Sequence, residues 1–290
     1  MTYSIESLSS KNIRAARQWA ASFLTEHGVT DAQLDADLLL ASSLGISRVQ
    51  LFLEIERVLS QAEWQEFARS VRRRSEREPL QYILGEQDFM GLTFQVTPAV
   101  LVPRPETERL VELAVAWLKN KPGSTALDLC TGSGAIAVCL AKLVPGTTVW
   151  ASDISPAALE VARGNAQKHQ VAVRFRQGDL AEPFRDMTFN LITANPPYIP
   201  SALIAQLEPE VSQAEPRQAL DGGNDGLVFY RRLAKELPML LRPGGKILLE
   251  IGWDQGETVQ DLFRTAGFSS VEVMKDYGDR DRILTATIGG

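Results

Sequence analysis

The sequence predicts an α/β fold: a mostly parallel sheet with helices on both faces, preceded by a small helical bundle and a β-hairpin. Three observations predict it. Helical periodicity runs without strand alternation up to about Leu84, two short apolar runs flank Met90-Gly91, and helix and strand signals alternate from Glu106 onward. The corresponding division is 1–85 for the helical domain, 86–98 for a hairpin linker and 99–290 for the α/β domain. With 290 residues, 44% of them hydrophobic and 23% charged, the chain is long enough for one large and one small domain.

In the first domain Ile13, Ala16, Ala20, Phe23 and Leu24 recur at helical spacing before Gly28. Asp31 stands where it can cap a second helix carrying Leu34, Leu38 and Leu39. Ser60 followed by Glu63 is a capping-box pattern opening a helix through Trp64, Phe67 and Val71. Arg69, Arg72, Arg73, Arg74 and Arg77 end that helix, where cations suit its dipole, and are expected as a solvated face. Phe89, Leu92, Phe94 and Val96 bracket the hairpin, and Pro98, Pro103 and Pro105 make the next stretch a poor site for regular helix. Helices are then expected over 106–118, 135–143, 156–168, 228–241 and 255–266. Strands are expected over 126–129, 148–152, 171–176, 189–194, 246–251, 270–274 and 282–288. Ligands of such sheets sit at the C-terminal ends of the strands.

Several function classes are disfavoured at the outset. The opening Met-Thr-Tyr-Ser-Ile-Glu lacks a basic region leading into an apolar run, and no later segment reaches the roughly 18 apolar residues of a membrane span, so a cytoplasmic protein without membrane contact is expected. Cys130 and Cys139 have no CxxC spacing, and His27 and His169 lie far apart, so no metal site is expected. A net charge of −6 argues against broad attraction to nucleic acid.

The chemistry starts at Leu127-Asp128-Leu129-Cys130-Thr131-Gly132-Ser133-Gly134-Ala135, which ends a strand, turns tightly and opens a helix. Gly132 and Gly134 can take backbone angles closed to other residues and leave room for a ligand against the main chain. Asp153 closes the next strand, where a carboxylate can accept both hydroxyls of an adenosine ribose. Gly132, Gly134 and Ala137 also fit the GxGxxA form of a dinucleotide fingerprint, so a nicotinamide dehydrogenase has to be considered. The later strands separate the two readings. Asp179 follows the third strand, within reach of an adenine amine, and the fourth ends in Asn195-Pro196-Pro197-Tyr198, for which a hydride-transfer enzyme has no use.

That tetrapeptide suits methylation of a planar NH2 group, whose lone pair is delocalised; in a peptide amide the conjugation appears as a rotation barrier of about 18–20 kcal/mol. The Asn195 side-chain oxygen and the Pro196 carbonyl can each accept one N–H, leaving the third direction open to a sulfonium methyl. Both bonds strengthen as positive charge grows on nitrogen, so they favour the transition state. Pro196 and Pro197 stiffen the loop, and Tyr198 can stack on the flat substrate group. No general base is needed before transfer, because the product nitrogen is acidic. The adenosine half of the site therefore fits S-adenosylmethionine, with contacts expected from Cys130, Thr131, Gly132, Ser133, Gly134, Asp153, Asp179, Leu180 and Asn195.

On these residues the chain resembles the PrmC/HemK family of peptide chain release factor glutamine N5-methyltransferases, over nearly its whole length. The likeness includes Gln81-Tyr82-Ile83-Leu84-Gly85, the run Leu101 to Glu108, Glu215-Pro216, Ala219 to Leu227, Glu250-Ile251-Gly252 and Asp276 to Arg282. Asn-Pro-Pro-Tyr alone is shared with nucleic-acid methyltransferases; the Pro-Arg-Pro-Glu-Thr-Glu run joined to it is much more specific. The resemblance implies a seven-stranded Rossmann-like class I methyltransferase domain whose last strand is antiparallel, with Pro103 to Glu106 walling the active site. It implies a helical domain that docks a class 1 release factor, modification of the glutamine in a Gly-Gly-Gln loop in translation termination, and S-adenosylhomocysteine as second product. A monomer acting without direct nucleic-acid contact is expected. Two departures stand out: Cys130 where a glycine is common, and Leu180 where an aromatic often meets adenine. The rivals are a nucleic-acid methyltransferase, which would need a basic channel, and a non-catalytic cofactor sensor.

Overall fold

The computed structural model describes residues 12–289, so the opening Met-Thr-Tyr-Ser-Ile-Glu lies outside the described residues. The chain divides into two units, one holding the segment up to Gly85 together with Glu208–Ala214, the other Glu86–Leu207 and Glu215–Gly290.

The first unit contains α1 (Ile13–Glu26), α2 (Ala32–Leu44), α3 (Arg48–Leu53), α4 (Gln61–Ser75) and α5 (Leu80–Leu84). Asn12 caps α1 by accepting from the Ala15 N–H at 2.9 Å, and the helix buries Ile13, Ala16, Trp19, Ala20 and Leu24. The Ser60–Glu63 capping box forms at the start of α4. Helix α2 departs from expectation. Asp31 makes no side-chain cap, Leu34 is exposed, and the helix instead buries two carboxylates, Asp35 and Asp37.

Buried carboxylates need cations. Arg74 Nε lies 2.7 Å from Asp35 and Arg17 Nε 2.6 Å from Asp37. The arginine cluster is therefore not a uniform solvated face. Arg69, Arg72 and Arg73 are exposed, but Arg74 sits three and seven residues beyond Val71 and Phe67, on the apolar side of α4, and is buried. Arg74 also lies 2.8 Å from Glu210, while Arg77 reaches Glu210 at 2.6 Å and Glu208 at 3.0 Å. These pairs explain why Glu208–Ala214, with its short helix α9 (Pro209–Ser212), belongs to the first unit and not to the α/β domain assigned to 99–290.

The second unit opens with the hairpin β1 (Glu86–Phe89) and β2 (Leu92–Gln95), closed by Met90 and Gly91 at φ 52° and 71°. Positive φ at both central residues gives the turn whose twist suits a two-residue hairpin. The hairpin is no free linker: Asn165 accepts from the Gln95 N–H at 2.7 Å and donates to its carbonyl at 2.9 Å, and Phe89 and Phe94 are fully buried in this unit's core.

The sheet comprises β3 (Thr125–Leu129), β4 (Thr148–Asp153), β5 (Val173–Gln177), β6 (Phe189–Ala194), β7 (Leu241–Glu250), β8 (Ser269–Lys275) and β9 (Asp281–Thr287). Helices α6 (Pro105–Lys119), α7 (Ala135–Leu143), α8 (Pro156–Lys168), α10 (Arg217–Leu220), α11 (Val228–Glu236) and α12 (Gly256–Thr265) complete the unit. Strand order is β5-β4-β3-β6-β7-β9-β8, with β9 antiparallel to both neighbours. Pro105 begins α6 at the first helical position, where a missing N–H costs nothing. Helix α11 stops at Glu236, short of the expected Leu241: Pro238 lies in a 3₁₀ turn, and Leu241 already starts β7.

Alternation along the strands feeds two cores. Leu127, Leu129, Ile192, Ala194, Ile247 and Leu249 face one, with Tyr230 and Phe263. Ala126, Leu191 and Leu248 face the other, with Leu110, Ala114 and Leu140. Period two places Asp128, Thr193 and Glu250 on this second face, at the C-terminal ends of β3, β6 and β7. No helix among the described residues is long and apolar enough to cross a membrane.

Candidate active site

The strand sequence runs outward in opposite directions from β3 and β6, so the loops after these two strands diverge at the switch point where doubly wound sheets bind ligands. Leu129 and Ala194 are register partners, which brings Cys130–Gly134 beside Asn195. Asp128 organises this corner. Fully buried, it accepts from Thr131 Oγ1 at 2.6 Å and from Thr193 Oγ1 at 2.8 Å, tying the first loop to the end of β6. Burial pushes its carboxyl up to about 7, against the pull of the two hydroxyls.

A cleft opens above this corner. Among its lining residues are Cys130, Thr131, Gly132, Ser133, Asp153, Asp179, Leu180, Asn195 and Pro197. Gly134, Pro196 and Tyr198 lie in the same loops but are not part of the lining. Gly134 has a packing reason for its identity, since a Cβ there would lie 3.0 Å from the Ala162 Cβ on α8. Tyr198, expected to stack on substrate, turns its hydroxyl 3.4 Å from Glu250 Oε1.

The walls fit S-adenosylmethionine. Gly132 borders the cleft with nothing within 4 Å of where a Cβ would stand, so a ligand can approach the main chain there. Asp153 accepts from the Gly132 and Ser155 N–H groups, each at 2.9 Å, and among the described residues it makes no ion pair. Burial raises its pKa, and the backbone N–H bonds oppose that. Asp179, by contrast, pairs with Arg232 at 3.0 Å. Both departures noted in the sequence fall on left-handed backbone, Cys130 at φ 55° and Leu180 at φ 48°, which accounts for a glycine being easier at the first. Burial pushes the Cys130 thiol far above its ordinary range, so it is no nucleophile.

Other lining residues carried no expected role of their own. Thr107 sits in the first turn of α6, while Phe229 and Arg232 lie three apart on one face of α11, the helix that follows Gly222, Gly223 and Gly226. Glu215, nearly fully buried, accepts from the Val102 N–H at 3.1 Å and from Arg104, and so holds the Val102–Arg104 segment that contributes Pro103 to the wall. Among the described residues no cluster could hold a metal ion.

A seven-stranded sheet of this order with an antiparallel last strand, a glycine loop at its switch point and a cleft lined by that loop, Asp153 and Asp179 define a class I S-adenosylmethionine-dependent methyltransferase. Residues 15–85 match the family model described as the PrmC N-terminal domain, and residues 109–207 the methyltransferase small domain. The chain is 44% identical over 278 residues, 96% of its length and 97% of the relative's, to the release factor glutamine methyltransferase of Geobacter sulfurreducens. It is also 44% identical over 277 residues, 94% and 98% of the two chains, to that of Moorella thermoacetica. A crystal structure of a methyltransferase from Pyrococcus furiosus is similar in fold, with 22% identity and a TM-score of 0.51 over 70% of this chain and 91% of that one. The chain belongs to the release factor glutamine methyltransferase family.

Proposed function

We propose that the chain transfers the methyl group of S-adenosylmethionine to the side-chain N5 of the glutamine in the Gly-Gly-Gln loop of a class 1 peptide chain release factor. The observation that carries this reading is the placement of Asn195 in the cleft lining, directly after the strand whose register partner feeds the glycine loop. Bound S-adenosylmethionine supplies an electrophilic methyl on a sulfonium. The protein's part is to hold the nitrogen. Asn195 Oδ1 and the Pro196 carbonyl take the two N–H groups, and this pairing favours a pyramidal nitrogen with a localised lone pair. Asp153 would hold the ribose hydroxyls, while the Cys130–Gly134 loop, Asp179 and Leu180 would border the rest of the cofactor. No base has to act before transfer, which suits a cleft whose Cys130 stays a thiol and whose Asp179 is paired with Arg232.

A glutamine side chain carries neither charge nor aromatic surface, so the cleft alone cannot choose one among many. Selection falls to the helical unit, which would dock the folded release factor. The acidic net charge of −6 supports a protein over a nucleic-acid partner, and the cytoplasm as the site of action fits such a substrate. The test is transfer of labelled methyl to a class 1 release factor and to its Gln→Ala variant in the Gly-Gly-Gln loop. Label is expected on the first and not the second. Label in RNA or DNA with a blank release factor would assign the enzyme to nucleic acid.

A further inference from the structure

We infer that Glu250 and Thr107 form a one-way hydrogen-bond relay that fixes which end of the Asn195 carboxamide faces the cleft, making Thr107 a positioning residue for methyl transfer. The inference rests on the reading of Asn195 as an acceptor for the substrate amide, and adds how that acceptor is presented.

Glu250 ends β7 on the sheet face covered by α6 and is 1% exposed. Both of its oxygens meet hydroxyls: Thr107 Oγ1 lies 2.6 Å from Oε2 and the Tyr198 hydroxyl 3.4 Å from Oε1. Burial raises the Glu250 pKa, and the Thr107 hydroxyl, the Arg282 charge and the Tyr198 hydroxyl oppose that rise. In this arrangement each carboxyl oxygen accepts from one hydroxyl, and the short Thr107 bond directs the threonine proton at Oε2.

A threonine hydroxyl has one proton. With that proton directed at Glu250, Oγ1 turns only lone pairs toward its other neighbour, the Asn195 carboxamide 3.3 Å away. The atom of Asn195 nearest Thr107 must therefore be a donor, Nδ2. A flipped amide would set oxygen against oxygen in a part-buried place. Because the two ends of a carboxamide diverge from one carbon, holding Nδ2 on Thr107 leaves Oδ1 for the cleft. The direction of the relay, from carboxylate to hydroxyl to amide, thus selects the acceptor end of Asn195 before substrate arrives.

The experiment compares Thr107→Val, Thr107→Ala and Thr107→Ser with the wild type and with Asn195→Ala in the full chain. It reads kcat and KM for a class 1 release factor, S-adenosylhomocysteine affinity by calorimetry, and thermal melting. Val and Ala are each expected to lower kcat about 10-fold or more, the scale on which losing an orienting partner acts. KM and cofactor affinity should stay within about twofold, and Ser should restore kcat to within about threefold of wild type. Wild-type kcat in both Val and Ala variants, with Asn195→Ala impaired, would overturn the relay and leave the acceptor role standing. Loss in Ser equal to that in Val would also overturn it, since packing and not the hydroxyl would then matter. An unimpaired Asn195→Ala would instead remove the acceptor reading itself.

Discussion

Asp128 and Thr193 are register partners on adjacent strands, and the threonine hydroxyl donates to the carboxylate at 2.8 Å two residues before Asn195. The folded protein holds Asp128 with a pKa of about 7, chiefly through burial, against an ordinary 3.8. A carboxyl whose folded pKa is raised binds its proton more tightly when folded. Its contribution to stability is full below about pH 4 and is lost as pH rises towards 7, on the order of 1 kcal/mol per pH unit. Asp128→Asn removes that loss. Urea unfolding should show the variant gaining stability relative to wild type between pH 5 and pH 8; a difference independent of pH would contradict the burial of the charge.

The Asn-Pro-Pro-Tyr loop passes close to Gly222. A Cβ at that position would lie 2.8 Å from two backbone atoms of Tyr198 and 2.9 Å from the Gly226 Cα. Gly222→Ala must therefore move the loop, and misplacement of about 1 Å near a reacting group can cost about 100-fold in rate. Turnover should fall steeply while S-adenosylhomocysteine binding persists. A variant with wild-type turnover would show that the loop tolerates the shift.

Asp153 borders the cleft, and its carboxylate accepts from the Gly132 and Ser155 backbone N–H groups. Asp153→Ala should weaken S-adenosylhomocysteine binding by at least about 1.5–3 kcal/mol, the range for a hydrogen bond to a charged group. Calorimetry decides the matter, and unchanged affinity would remove Asp153 from the cofactor contacts.

Arg74 serves two acids in the first unit, Asp35 at 2.7 Å and Glu210 at 2.8 Å. Desolvation raises the Asp35 pKa, and Arg74 opposes that rise. Removing the cation leaves a buried carboxyl unpaired, so Arg74→Ala should destabilise by about 3–5 kcal/mol in urea unfolding. Less than about 0.5 kcal/mol, the scale of an ordinary surface change, would mean that the pair is idle.

What could be read from the sequence was what is encoded locally. Helices 135–143 and 156–168 and strand Phe189–Ala194 have the expected bounds, because apolar period, Pro156 and the glycine turn all act within a few residues. The exceptions are long-range. The buried role of Arg74 depends on Asp35, 39 residues away, and the Thr107–Glu250 bond spans 143 residues. In the candidate site the loops were visible as motifs, and Glu215 and Thr107 fell within matched runs, but nothing local in the chain shows that Glu215 lies behind Val102 or Thr107 beside Asn195.

In the proposed mechanism Asn195 acts on the transition state and not on folding or cofactor binding. Single-turnover methylation of a class 1 release factor by Asn195→Ala, measured with S-adenosylhomocysteine affinity, tests this most directly. Affinity close to wild type and a rate at least about 100-fold lower are expected, the scale for one preset transition-state hydrogen bond. Methylation at the wild-type rate would contradict it.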